Sequence, residues 1–91
     1  MGQKESDPGY IMGSKHRLAV VEKLSDGPAI PKQIKEETDR PYSRISDALN
    51  DLRENDIVEL LVSEDQKKGR LYGLTERGET ALEYMKNKNL V

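Results

Sequence analysis

The sequence predicts a mainly α fold carrying one small β-hairpin (α+β), with its elements in the order α-α-α-β-β-α. Three observations lead there. Apolar residues recur at helical spacing before residue 56, most regularly as Ile45, Ala48, Leu49 and Leu52. Two β-prone runs, Ile57 to Val62 and Arg70 to Leu74, flank the polar segment Ser63-Glu64-Asp65-Gln66-Lys67-Lys68-Gly69. Thr75, a residue suited to cap a helix, then precedes a last helical pattern with Ala81, Leu82 and Met85.

The first helix is expected from Ser14 to Ser25, where Leu18, Val20, Val21 and Leu24 share one arc of the helical wheel and Ser14 caps the start. Asp26-Gly27-Pro28 stops it, because glycine tolerates a left-handed cap and proline cannot continue a helix. Pro31 suits the first turn of a second, short helix ending near Thr38, with Ile30 and Ile34 as an i, i+4 pair. Ile30 is a poor cap, so packing or water is expected to hold that start. The third helix begins near Pro41 and stops at Asn55-Asp56, two residues that tolerate the left-handed conformation of a helix terminus. In the first strand Val58, Leu60 and Val62 face the helices while Glu59 faces water.

Composition bounds what this chain does. The 91 residues hold 15 Lys+Arg, 17 Asp+Glu and one His, for a formal net charge of −2, with 34% hydrophobic and 35% charged residues. That suffices for one modest core of Leu, Ile, Val and Tyr and leaves no room for a second catalytic or sensing domain. The absence of Cys excludes a disulfide framework, thiolate metal sites and a nucleophilic thiol. No run approaches a membrane span, and Lys4, Glu5 and Asp7 stand where a signal peptide needs apolar residues, so a soluble cytoplasmic protein is expected. Met1-Gly2-Gln3-Lys4-Glu5-Ser6 matches the loose N-myristoylation pattern, but that pattern is degenerate and nothing else points to a membrane. Residues 1–9 read as a disordered tail.

Two short helices across a tight turn, the second strongly amphipathic and followed at once by a hairpin, make the order of a winged helix-turn-helix. Four stretches carry a family likeness: Ser14-Lys15-His16-Arg17-Leu18, Ser25-Asp26-Gly27-Pro28, Ser43-Arg44-Ile45-Ser46-Asp47-Ala48-Leu49, and Gly69-Arg70-Leu71-Tyr72-Gly73-Leu74-Thr75-Glu76-Arg77-Gly78. Over about residues 10–86 the chain resembles archaeal winged-helix transcriptional regulators of the broad ArsR/MarR-like type. Its most specific part is Lys68 to Tyr72 with Leu74 to Gly78, preceded by Leu52, Ile57 and Val58 at the family's spacing. The resemblance implies a DNA-binding domain over 10–88, after the 1–9 tail and before a 89–91 C-terminal tail. It also departs from the family. Many relatives have Gly where Asp56 stands, which implies a left-handed Asp56 or an altered turn, and the Cys/His clusters of metal-sensing relatives are absent, leaving His16 alone.

If Ile45, Ala48, Leu49 and Leu52 are buried, about 100° per residue puts Ser43, Asp47, Asn50 and Glu54 opposite, with Arg44 and Ser46 on the flanks. In a recognition helix these are the readers: Arg44 suits guanine, Asn50 adenine, Asp47 cytosine N4, and Ser43 or Ser46 phosphate or base edges, with Tyr42 reaching phosphate. A plain solvated helix face has the same composition, and only its place after the turn favours reading DNA. Charge argues partly against it, since residues 42–56 hold two bases, Arg44 and Arg53, against four acids, Asp47, Asp51, Glu54 and Asp56. Lys67, Lys68 and Arg70 form the strongest basic cluster, at the hairpin tip, where a wing straddles the backbone or enters the minor groove; edge lysines also discourage strand pairing. A net charge of −2 gives weak nonspecific affinity for double-stranded DNA, so binding needs a specific site or a homodimer. Tyr10, Ile11 and Met12, with Ala81, Leu82, Tyr84, Met85 and Leu90, are the apolar residues available for dimerisation or for the domain's own core.

The alternative is a protein-interaction winged helix with little DNA affinity, docking through apolar residues such as Leu61 or Leu71; the acidic third helix motivates it. An enzyme is disfavoured. His16 has no spaced partner, Glu36-Glu37-Thr38-Asp39 reads as a solvated helix end, the seven glycines form no phosphate loop, and no metal or other cofactor is expected.

Overall fold

A computed structural model describes the backbone of residues 3–90 and the side chains of residues 7–90. Its elements are α1 (Gln3–Met12), α2 (Lys15–Leu24), α3 (Pro31–Thr38), α4 (Tyr42–Glu54), β1 (Val58–Leu60), β2 (Tyr72–Leu74) and α5 (Glu76–Asn87). The mainly helical class with an antiparallel hairpin is the one expected, paired Val58 with Leu74, Glu59 with Gly73 and Leu60 with Tyr72. Both strands are shorter than the runs that predict them. Beyond Leu60 one further bond continues the ladder, from the Leu61 N–H to the Leu71 carbonyl at 2.7 Å. Ala29 pairs with the other edge of Tyr72, exchanging bonds of 3.0 and 2.9 Å, so the segment between α2 and α3 adds a third short strand-like contact.

α1 is the element sequence reasoning missed. Residues 3–9 belong to a helix that runs on to Met12, where a disordered tail over 1–9 was expected. Pro8 and Gly9 are poor helix formers and the apolar pattern is weak, so local propensity does not predict it. Tertiary contacts supply the reason. Ile11 is fully buried in the core, and the Asp7 carboxylate accepts two bonds from the Arg77 guanidinium at 2.6 and 2.9 Å, across 70 residues of sequence. Arg17 stacks its guanidinium 4.0 Å from the Tyr10 ring centre and donates from Nε to the Tyr10 carbonyl at 2.7 Å, tying the end of α1 to α2. The myristoylation-like start, with its Gly2, lies outside the described residues.

Helix ends follow residue chemistry closely. Ser14 caps α2 by accepting from the Arg17 N–H at 3.2 Å, and Thr75 caps α5 by accepting from the Gly78 N–H at 3.0 Å. Ile30 starts α3 without a side-chain acceptor, but the Gln33 side chain reaches back to the Ile30 N–H at 3.1 Å, so a protein group holds that start. α4 ends in a Schellman motif. Asp56 is left-handed at φ 62°, its N–H bonds the Arg53 carbonyl, and the Ile57 N–H bonds the Leu52 carbonyl at 2.9 Å. The left-handed Asp56 is thus the conformation the missing glycine implies. α5 ends the same way, with Asn89 at φ 58° and the Leu90 N–H on the Met85 carbonyl at 2.8 Å, so residues 89 and 90 form a helix cap.

The core joins all layers: Val20 and Val21 of α2, Ile34 of α3, Ile45, Leu49 and Leu52 of α4, Ile57, and Met85 of α5 are fully buried. Ile11, Ala81, Leu82 and Met85, expected to be available for dimerisation, are used in this core, while Met12, Tyr84 and Leu90 stay 37%, 45% and 45% exposed. A domain without Phe or Trp needs that surface for itself.

Candidate nucleic-acid interface

α3 and α4 are joined by Asp39-Arg40-Pro41, with Asp39 left-handed at φ 56°. The apolar stripe of α4 is buried as read: Ile45, Ala48, Leu49 and Leu52 are all at or below 2% exposure. Its opposite face is therefore turned to solvent. Ser43, Arg44, Ser46, Asp47 and Asn50 are exposed together along it, and Tyr42 at the first turn is 53% exposed. Pro41 offers no side-chain cap and the first turn carries no acid, so the leading N–H groups of α4 and the positive end of its dipole are open to an anion.

The segment between the strands folds as a compact wing. The Arg70 Nε donates to the Gln66 carbonyl at 2.7 Å and its Nη2 to the Glu64 carbonyl at 2.8 Å. The Gln66 amide nitrogen donates to the carbonyls of Lys68 and Gly69, and Gly69 takes φ 61°, which suits the residue without a Cβ. Arg70, read from sequence as one of three tip cations, therefore also holds the loop's shape. Lys67 and Lys68 are exposed beside it.

Wing and helix are tied by Arg53, whose Nη2 lies 2.6 Å from a Glu64 carboxylate oxygen. The pair neutralises one of the acids at the wing base and sets the loop beside the last turn of α4. No periodic signal could have shown it, because its partners are eleven residues apart on different elements. Behind the turn, an Arg40 amino group lies 3.3 Å from His16 Nδ1. The arginine can only donate, so in this contact the ring nitrogen accepts. His16 is half-buried in a structural contact, as its isolation in sequence suggests. At the far end of α4, burial first and then the Asp51 carboxylate raise the Tyr10 phenol above its ordinary pKa.

Among the described residues no group of three or more His, Asp or Glu side chains is placed to hold a metal ion, and no helix is long and apolar enough to cross a membrane. Against known proteins, no family model and no curated protein matches. Solved structures do. The chain is similar to the transcriptional regulator YodB from B. subtilis, at 25% identity and TM-score 0.79, covering 94% of this chain and 85% of that one. It is similar in fold to the MarR family regulator NMB1585 from Neisseria meningitidis (22% identity, TM-score 0.69, 84% of this chain and 55% of that one). An ArsR family transcriptional regulator, RHA00566, matches at 17% identity and TM-score 0.68, over 99% of this chain and 90% of that one. The structural neighbours are thus MarR- and ArsR-type winged-helix transcription regulators rather than enzymes, and the chain spans about half the length of the MarR-family ones. The organisms named are bacteria, so the comparisons carry the ArsR/MarR-type likeness without its archaeal part.

Proposed function

We propose that this protein is a sequence-specific DNA-binding transcription regulator. α4 enters the major groove and the wing, about residues 63–70, lies on the backbone or in the minor groove. The observation that carries this is the exposed polar face of α4, with an uncapped N-terminus at one end and a folded basic wing beside its last turn. In this reading Arg44 and Asn50 read base edges, Ser46 and Asp47 contact bases, Tyr42 and Ser43 hold phosphate, and Lys67 and Lys68 supply the wing's attraction while Arg70 shapes it. The protein acts as a homodimer through its exposed apolar residues Met12, Tyr84 and Leu90, with half-sites about 34 Å apart.

The test is selection of a binding duplex from random DNA, followed by anisotropy titrations of variants. Arg44→Ala or Asn50→Ala costs ~1–3 kcal/mol at one base pair and relaxes preference there, whereas Lys68→Ala weakens all sequences alike and lowers the salt slope by about 1. Unchanged binding by all three overturns the assignment. The four acids of residues 42–56 favour a second reading, a protein-docking module with little DNA affinity. Failure to select any duplex at low salt, with α4 amides shifting instead on addition of a protein partner, supports that one.

A further inference from the structure

The structure holds a second surface that shares no residue with α4 or the wing loop. An open groove of about 610 Å³ runs between the end of α2, the outer side of the hairpin and α5. Leu61, Pro28, Leu74 and Leu82 give it an apolar strip, and Leu61 is 44% exposed. Gly73 lets Leu61 lie flat on the strand, since a Cβ at that position would stand 2.9 Å from the Leu61 Cδ1.

The rim has one sign. Asp26 lines the groove from beyond the end of α2 and Glu76, Glu79 and Glu83 line it from α5 at i, i+3 and i+7, and the single cation among the lining residues is Lys86. Among the described residues none of the four acids is in an ion pair; the four ion pairs found lie elsewhere. Two carboxylates in the first turn of α5 favour its dipole, but Glu83 and Asp26 have no such role. Four unneutralised carboxylates beside an apolar strip repel DNA and anions and attract a cationic surface with an apolar anchor. From Glu76 to Lys86 the groove runs along about 15 Å of helix, the length of a peptide segment.

We infer that this groove docks a basic amphipathic segment of a protein partner, seating one apolar side chain on Leu61 and its lysines or arginines against Asp26, Glu79 and Glu83. The site lies apart from the proposed DNA face, so docking and DNA binding are compatible and either can fail alone.

The test uses the full chain, isotope-labelled, titrated with a twelve-residue peptide of alternating leucine and lysine pairs, beside two controls: glutamate for lysine, and serine for leucine. The expected result is saturable amide shifts at Leu24, Leu61, Gly73 and Glu83 with the first peptide and none with either control. Asp26→Lys with Glu83→Lys, both exposed, weakens binding roughly tenfold or more with thermal unfolding unchanged. Gly73→Ala, which pushes only the flexible end of Leu61, weakens it without reversing charge. Equal shifts with the serine control reduce the groove to a charged surface and overturn the proposal. So do shifts confined to other faces, or groove shifts that grow with protein concentration in the absence of peptide, which assign the groove to a second copy of this chain.

Discussion

Replacing Gly78 by alanine sets two opposed effects on one methyl group. Gly78 lies in the first turn of α5, where alanine is worth about 1 kcal/mol more than glycine by helix propensity alone. A Cβ there, however, would stand 2.2 Å from the Ile57 carbonyl oxygen. That oxygen must retreat by roughly 0.8 Å to reach even the closest approach such atoms show, and a packed backbone does not yield that distance freely. Nor is the carbonyl idle. It accepts the Thr75 N–H at 3.0 Å, while the Thr75 hydroxyl sits 2.6 Å from the Asp56 carbonyl and caps α5 at Gly78. Overpacking costs about 1–3 kcal/mol and a loosened buried hydrogen bond about 1 more, so the clash outweighs the propensity and the net loss is about 2 kcal/mol. For a domain of this size that lowers Tm by roughly 8–16 °C. Urea unfolding followed by far-UV circular dichroism measures it, with Gly9→Ala as the reference, since nothing lies within 4 Å of a Cβ at that helical position and up to about 1 kcal/mol should be gained. A Gly78→Ala protein as stable as the parent refutes the contact between Ile57 and α5 on which this reasoning rests.

Other perturbations separate further parts of the structure. Asp56→Gly relieves a left-handed residue and raises the urea midpoint by the equivalent of about 1 kcal/mol with an unchanged slope; a loss of stability would show that the aspartate side chain, and not its backbone, matters there. Arg53→Ala changes global stability by no more than about 1 kcal/mol, because the pair with Glu64 is largely exposed, yet amide hydrogen exchange at residues 63–70 accelerates as the wing loses its tie to α4. The phenol of Tyr10 is raised above 10.0 in the folded state, so the folded chain holds that proton longer than the unfolded one. Its contribution is complete below pH 10 and is lost as pH rises through the folded value, so Tyr10→Phe shows a shallower fall of stability than the parent above pH 10.

The candidate interface was legible to the extent that it is periodic. Ile45, Ala48, Leu49 and Leu52 repeat at helical spacing, so the face they leave to solvent, with Ser43, Arg44, Asp47 and Asn50, is fixed by the geometry of one helix and requires no knowledge of what packs against it. The wing was legible as a polar segment between β-prone runs, and its glycine marked a turn. Its internal fold was not, because the Arg70 bonds to the Glu64 and Gln66 carbonyls depend on loop backbone that composition leaves open.

By itself the sequence determined the helices α2 to α5, the hairpin, the Ser14 and Thr75 caps and the buried stripe of α4, because each depends on neighbours within one or two turns. The tertiary structure alone decided the rest. α1 exists because Ile11 finds the core and Asp7 finds Arg77, and no stretch of ten residues containing Pro8 and Gly9 carries that information locally. The same holds for the tie between Arg53 and Glu64 and for the acidic groove beside α5, whose walls come from three separate parts of the chain. Short-range order is written in spacing and residue type, whereas contacts across tens of residues arise only when the burial of a common core brings their partners together.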